Sequence, residues 1–94
     1  MSDLVKSEKF SVPVRLTLVG GVQVYGVVFL ENNQRILDMI SGERQFFPFK
    51  SASSLSIMNK ANVMQIDIMS VDEMKQLINQ FPRVDFHYLT NNQW

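Results

Sequence analysis

Apolar and polar residues alternate along Val12 to Leu30, VPVRLTLVGGVQVYGVVFL. Val12, Val14, Leu16 and Leu18 are separated by Pro13, Arg15 and Thr17, the spacing of a strand with one buried face. Gly20-Gly21 follows, a pair that takes positive φ at little cost and so predicts a hairpin turn. In the returning strand Val22, Val24, Gly26, Val28 and Leu30 share one face, and Gln23, Tyr25, Val27 and Phe29 share the other. The second half of that strand is apolar on both sides, which predicts cover from two directions. Gly26, in mid-strand, predicts a bulge or sharp bend of the kind that curls a small antiparallel sheet.

Beyond the hairpin, Glu31-Asn32-Asn33 is turn-forming. Ile36, Leu37 and Ile40 recur at helical spacing ahead of Gly42, which predicts a short helix or irregular connector over 34–41; an extended strand over 35–40 is the alternative. Gln45 to Lys50 reads as a third strand, whose Pro48 points to a sheet edge or a strand end. Ser51 to Ser54 is a turn. Leu55 to Met58 and Val63 to Met69 are two further strands, joined by the polar turn Asn59-Lys60-Ala61-Asn62. In the last of these, Met64, Ile66 and Ile68 share a face opposite Gln65 and Asp67. Ser70 with Glu73 has the form of a capping box. Val71, Met74, Leu77, Ile78 and Phe81 then make an apolar stripe, so a helix is predicted over 70–81, ended by Pro82. Val84, Phe86 and Tyr88 alternate with Asp85 and His87, which predicts a possible sixth strand over 83–89. At the other end, Ser2-Asp3 either caps a short helix or belongs to a frayed segment.

Ninety-four residues is the size of one domain, so 1–94 is read as a single domain with its β core over 12–69. Nine Lys and Arg balance nine Asp and Glu. A neutral chain lacks the basic surplus of a non-specific nucleic-acid binder, although a local basic ring remains compatible with it. The chain has no cysteine and one histidine, which excludes disulfides, thiolate metal sites and multi-histidine metal sites. No signal-peptide core or membrane-length apolar run is present, so the cytoplasm is the expected location, with no membrane partner. Ser-His-Asp, Cys-His and glycine-rich phosphate-loop arrangements are absent. Asp72 and Glu73 fall in the first turn of a predicted helix, where negative charge is favourable without catalysis. Neither an enzyme nor a cofactor is expected. Phe46, Phe47, Phe49, Phe81, Phe86, Tyr88 and Trp94 exceed what so small a core can hold beside its valines, which points to a subunit interface and a homo-oligomer.

Five strands with Gly20 or Gly21 at the first turn and Gly26 inside the second strand, led by Val14 and Leu16, resemble the first motif of the Sm/LSm-like barrel. Ile57 to Val63, IMNKANV, occupies the place of the second motif. The likeness spans Val12 to Met69. The chain departs from the family's Asp-x-apolar-Asn loop, where Glu31-Asn32-Asn33-Gln34 stands, and from its Arg-Gly turn, replaced by Asn59-Lys60. The whole pattern also resembles a group of small bacterial proteins identified as Sm-like. Arg35 to Gly42 has an arginine, an aspartate and a glycine in the order used by cyclic-dinucleotide-binding PilZ barrels, but Ile40 and Glu43 stand where that signature needs serine and glycine.

The resemblance implies a mainly β fold, a small five-stranded Sm-like (SH3-like) barrel with an added C-terminal α-helix and a possible sixth strand. It implies a homo-oligomeric ring whose pore loops bind single-stranded RNA. By position, Asn59, Lys60 and Asn62 form one RNA-binding loop, and Asn33 and Arg35 belong to the other. Amides suit base edges and Lys or Arg suits phosphates. The alternative is a non-enzymatic structural or protein-interaction module on the same barrel that touches no nucleic acid. A small-ligand-binding barrel is a third class.

Overall fold

Gly20 and Gly21 adopt φ of +98° and +92°, a region that side chains disfavour, and they reverse the chain tightly. Leu18 N–H donates to Val22 O and Gly21 N–H to Leu18 O, each at 2.8 Å. This turn joins β1 (Lys9–Leu18) to β2 (Gln23–Glu31), paired antiparallel from Lys9 opposite Glu31 to Thr17 opposite Gln23. The computed structural model describes residues 9–31 and 33–82; Asn32, the Ser2-Asp3 alternatives and the possible sixth strand over 83–89 lie outside them.

After the hairpin come α1 (Ile36–Ser41), β3 (Phe46–Lys50), β4 (Leu55–Asn59), a 3₁₀ turn (Lys60–Asn62), β5 (Val63–Ile68) and α2 (Val71–Gln76). The strands form one antiparallel sheet in the order β4-β3-β2-β1-β5. β4 and β5 are its two edges. They do not pair with each other, so the sheet is not closed into the barrel that the resemblance implies.

Cross-strand partners share a face. Val12, Val14 and Leu16 therefore lie on one side with Val28 and Leu30 of β2, Phe49 of β3, and Ile66 and Ile68 of β5. With Ile36 of α1 they form the larger apolar core. The opposite side of β2 presents Val27 to a second core made with Met69, Met74 and Phe81. The double cover expected for the far half of β2 is thus supplied by α1 on one face and α2 with its continuation on the other. Fully burying each such aliphatic side chain contributes about 1.5–3 kcal/mol.

Gly26 lies where β3 comes too close for a side chain. A Cβ built there would sit 2.6 Å from Phe49 Cζ and closer still to the Lys50 carbonyl oxygen. The two prolines mark limits of pairing. Pro13 accepts from Met69 N–H through its carbonyl at the end of the β1–β5 ladder, where its missing donor costs least. Pro48 is not on an edge: β3 lies between β2 and β4, and Pro48 stands where the two-pair β2–β3 ladder, Val27–Lys50 and Val28–Phe49, stops.

Two further elements differ from their sequence pattern. Leu18 pairs with Val63 although Thr17 pairs with Gln65, so Met64 is a bulged extra residue. Met64 has no partner on β1 and is 68 % exposed. The helix expected over 70–81 stops at Gln76 and is followed by a 3₁₀ turn, Ile78–Gln80. Ser70 and Glu73 do close a capping box, with Glu73 N–H on Ser70 Oγ and Ser70 N–H on Glu73 Oε1, both 3.1 Å. Phe81, ahead of Pro82, is extended at φ −120° and ψ 152°, as the residue before proline favours. Tightening the last turn delivers Phe81 edge-on to Tyr25, with ring centroids 5.9 Å apart.

Gly26→Ala is expected to cost about 1–3 kcal/mol through overpacking, seen as a lower urea midpoint with an unchanged slope. Gly42→Ala is the control: its nearest atom would be 3.4 Å away, and a change within about 0.5 kcal/mol is expected there.

Candidate functional site

The side chain of Asn59 accepts the Ala61 N–H at 3.0 Å and so starts the 3₁₀ turn that separates β4 from β5. Lys60 N–H donates to Gln45 O at 2.9 Å, and Asn62 O accepts Val19 N–H at 2.8 Å. The turn is thereby tied to the segment before β3 and to the hairpin turn. Lys60 Nζ donates to Met39 O at 2.8 Å and to Gly42 O at 3.2 Å. Those carbonyls lie at the C-terminal end of α1, where helical partners run out and a cation is favoured by the helix dipole.

The other end of α1 is held by Asp38. Its Oδ2 accepts the Arg35 backbone N–H at 3.0 Å and lies 3.4 Å from Arg35 Nε. The backbone bond, and then the guanidinium, hold the Asp38 carboxyl below its ordinary range. Asn33 is exposed and left-handed at φ +68°, in the turn leaving β2. Of the five residues singled out from sequence, Asn59, Lys60 and Asn62 thus share one turn, while Asn33 and Arg35 precede α1. The two groups lie at opposite ends of α1: Lys60 bonds carbonyls at its C-terminal end, and Arg35 stands before its start. Seven residues separate Arg35 from Gly42, which sets the two cations roughly 10 Å apart along its axis.

Two clefts flank α1. The first, of about 380 Å³, is lined by Ile36, Leu37 and Ile40 of α1, by Val63, Met64, Ile66 and Ile68 of β5, and by Gln65 and Lys60. Gln65 belongs to the opposite face of β5 from Ile66 and Ile68, so this apolar cleft reaches round the free edge of the strand. The second, of about 370 Å³, includes the carboxylates of Glu31, Asp38 and Glu43 against Arg44 and Lys60, beside Phe29 and Phe46. Its acidic rim disfavours a phosphate backbone.

On the outer face of the sheet, Arg15 Nε and Nη2 each lie 3.0 Å from Asp67 Oδ2, directly across the β1–β5 pair. Asp67 first, and Tyr25 after it, push the guanidinium pKa above its already high value. Arg15 stays cationic at any working pH and is not a proton carrier. Among the described residues no group of three or more His, Asp or Glu side chains is placed to hold a metal ion, and no helix is long and apolar enough to cross a membrane.

The sequence pattern signals the polar loops but not the apolar cleft between α1 and β5. Leu37 and Ile40 are legible as helix positions, yet nothing local shows that the helix lies against β5. Met64 is displaced by a bulge that alternation does not record. Comparison of the chain with protein-family models, with curated proteins and with solved structures finds no match in any of the three.

Because the folded carboxyl of Asp38 titrates below its unfolded value, its stabilisation of α1 is present above the unfolded pKa, about 3.9, and disappears as pH falls through the folded pKa. Hydrogen exchange at Met39 and Gly42, whose N–H groups close the helix on Arg35 O and Asp38 O, is expected to show constant protection near neutrality and loss in acid. Asp38→Ala is expected to show the reduced protection already at pH 7.

Proposed function

We propose that this chain is a non-enzymatic protein-interaction module that works through the open edges of its sheet, and that its copies join edge to edge in the manner of an Sm-like ring. The observation that carries this reading is the character of the edges. Leu55 and Ile57 of β4 are 63 % and 67 % exposed, and Met64 on β5 is equally open. β4, LSIMN, contains no charged residue. Lone soluble sheets guard their edges with charge, proline or cover, because unpaired N–H and C=O groups beside apolar side chains recruit another strand. Laying one kind of edge on the other is a heterologous contact, which closes into a ring when the rotation permits. Native mass spectrometry of the untagged protein is expected to give a single closed oligomer. Ile57→Lys is expected to shift it to monomer with an unchanged circular dichroism spectrum, and a wild-type monomer at high concentration sinks the ring.

A second reading, single-stranded RNA held by Asn59, Lys60, Asn62, Asn33 and Arg35, draws support from the sharing of one turn by Asn59, Lys60 and Asn62. It ranks lower on the same geometry: with two donors on carbonyls Lys60 offers one more, Arg35 lies against Asp38, and the neighbouring cleft carries three carboxylates. Fluorescence anisotropy with short A-rich and U-rich RNAs decides between them. Wild-type binding that falls at least about tenfold in Lys60→Ala, the loss expected of one charge-assisted contact, reinstates the RNA reading.

A further inference from the structure

We infer that the free edge of β5, with the cleft between it and α1, takes the C-terminal end of a partner polypeptide: an extended segment with apolar side chains at alternate positions and a free α-carboxylate. The inference rests on the reading of β5 as an interaction edge and names what that edge binds. Among the described residues β5 pairs with β1 alone, so the backbone groups along its other side are open to an added strand. The bulge at Met64 confines the regular edge to Gln65–Ile68. On the inner face, alternate side chains of an added strand enter the apolar cleft under Leu37 and Ile40. On the outer face they meet Gln65 and Asp67, whose side chains are bonded to each other at 2.9 Å, so polar residues suit the intervening positions.

Direction supplies the charge. A strand added antiparallel to β5 runs from Ile68 towards Val63, and its C-terminal end arrives beside the 3₁₀ turn that carries Lys60. An ammonium has three donors. Met39 O and Gly42 O take two of those on Lys60, and the third is left for a carboxylate at the end of the cleft that Lys60 helps to line. β4 of a second copy competes for this edge but brings no chain end to Lys60, so peptide binding is read on the Ile57→Lys form, whose β5 edge is free of it.

The test uses the full chain, as wild type and as Ile57→Lys, with a fluorescent hexapeptide of alternating threonine and valine that ends in a free carboxylate, and with its C-terminal amide. The free acid is expected to bind at least about tenfold more tightly than the amide, as loss of a charge-assisted hydrogen bond implies. Lys60→Gln is expected to abolish that preference. Leu37→Lys changes a residue that is 64 % exposed and outside the cores, and is expected to weaken both peptides without altering the fold. Chemical-shift changes should centre on Gln65–Ile68 and α1. Equal affinity for acid and amide, no binding of either, or shifts centred on β4 overturn the inference. Native mass spectrometry without peptide reads self-association separately. An oligomer whose Ile57→Lys form ignores both peptides sinks this inference and leaves the edge reading standing, whereas a monomer that prefers the free acid sinks the ring and keeps the peptide site.

Discussion

The fold depends on an absent side chain. Phe49 lies over Gly26, and the Lys50 carbonyl presses against the same Cα, so the sheet folds over itself as tightly as backbone and ring allow. That approach lets Phe49 pack with Val12, Val14, Leu16 and Val28 in one core. A methyl group at Gly26 would push β3 outwards and loosen the region in which α1 is seated. The strand order stays open: among the described residues β4 and β5 are the two edges and do not pair with each other.

α1 is short, and its own backbone bonds are too few to hold it. Ile36 buried beneath it, Asp38 at its start and Lys60 at its end do so instead. The connector after β2 is therefore a wall of both clefts, held by polar contacts at its two ends. Those same contacts consume much of the charge that the loop sequence advertises, which is why the geometry moves the functional reading from nucleic acid towards polypeptide.

Much of this was legible in the chain. Apolar patterning marked all five strands, by alternation in β1, β4 and β5, the glycine pair marked the hairpin, and Ser70 with Glu73 marked the start of α2, because each is set by neighbours in sequence. The double apolar pattern of Val27 and Val28 announced that β2 has two covered faces. What alternation could not report is what distant segments impose on one another. The bulge at Met64 is a mismatch of length between β1 and β5. The position of Pro48 inside the sheet depends on where β2 stops pairing. The partners of Lys60 lie on an element that periodicity left open between helix and strand. For the candidate site, Asn59, Lys60 and Asn62 were identifiable as a polar turn, whereas the cleft beside them exists only once α1 and β5 are brought together.

The ion pair between Arg15 and Asp67 spans 52 positions of the chain. The β1–β2 hairpin closes through a few residues and can form early, but β5 must wait for a long loop to close, at an entropic cost that local pairing does not incur. During synthesis the outer side of β1 therefore stays bare until β5 has emerged. In that interval β1 is itself an edge, lined by Val12, Val14 and Leu16, and open to the β5 of a neighbouring chain. The order in which strands dock governs the risk of exchange between chains, and the bond from Val19 N–H to Asn62 O ties the start of each chain's β5 to its own hairpin turn.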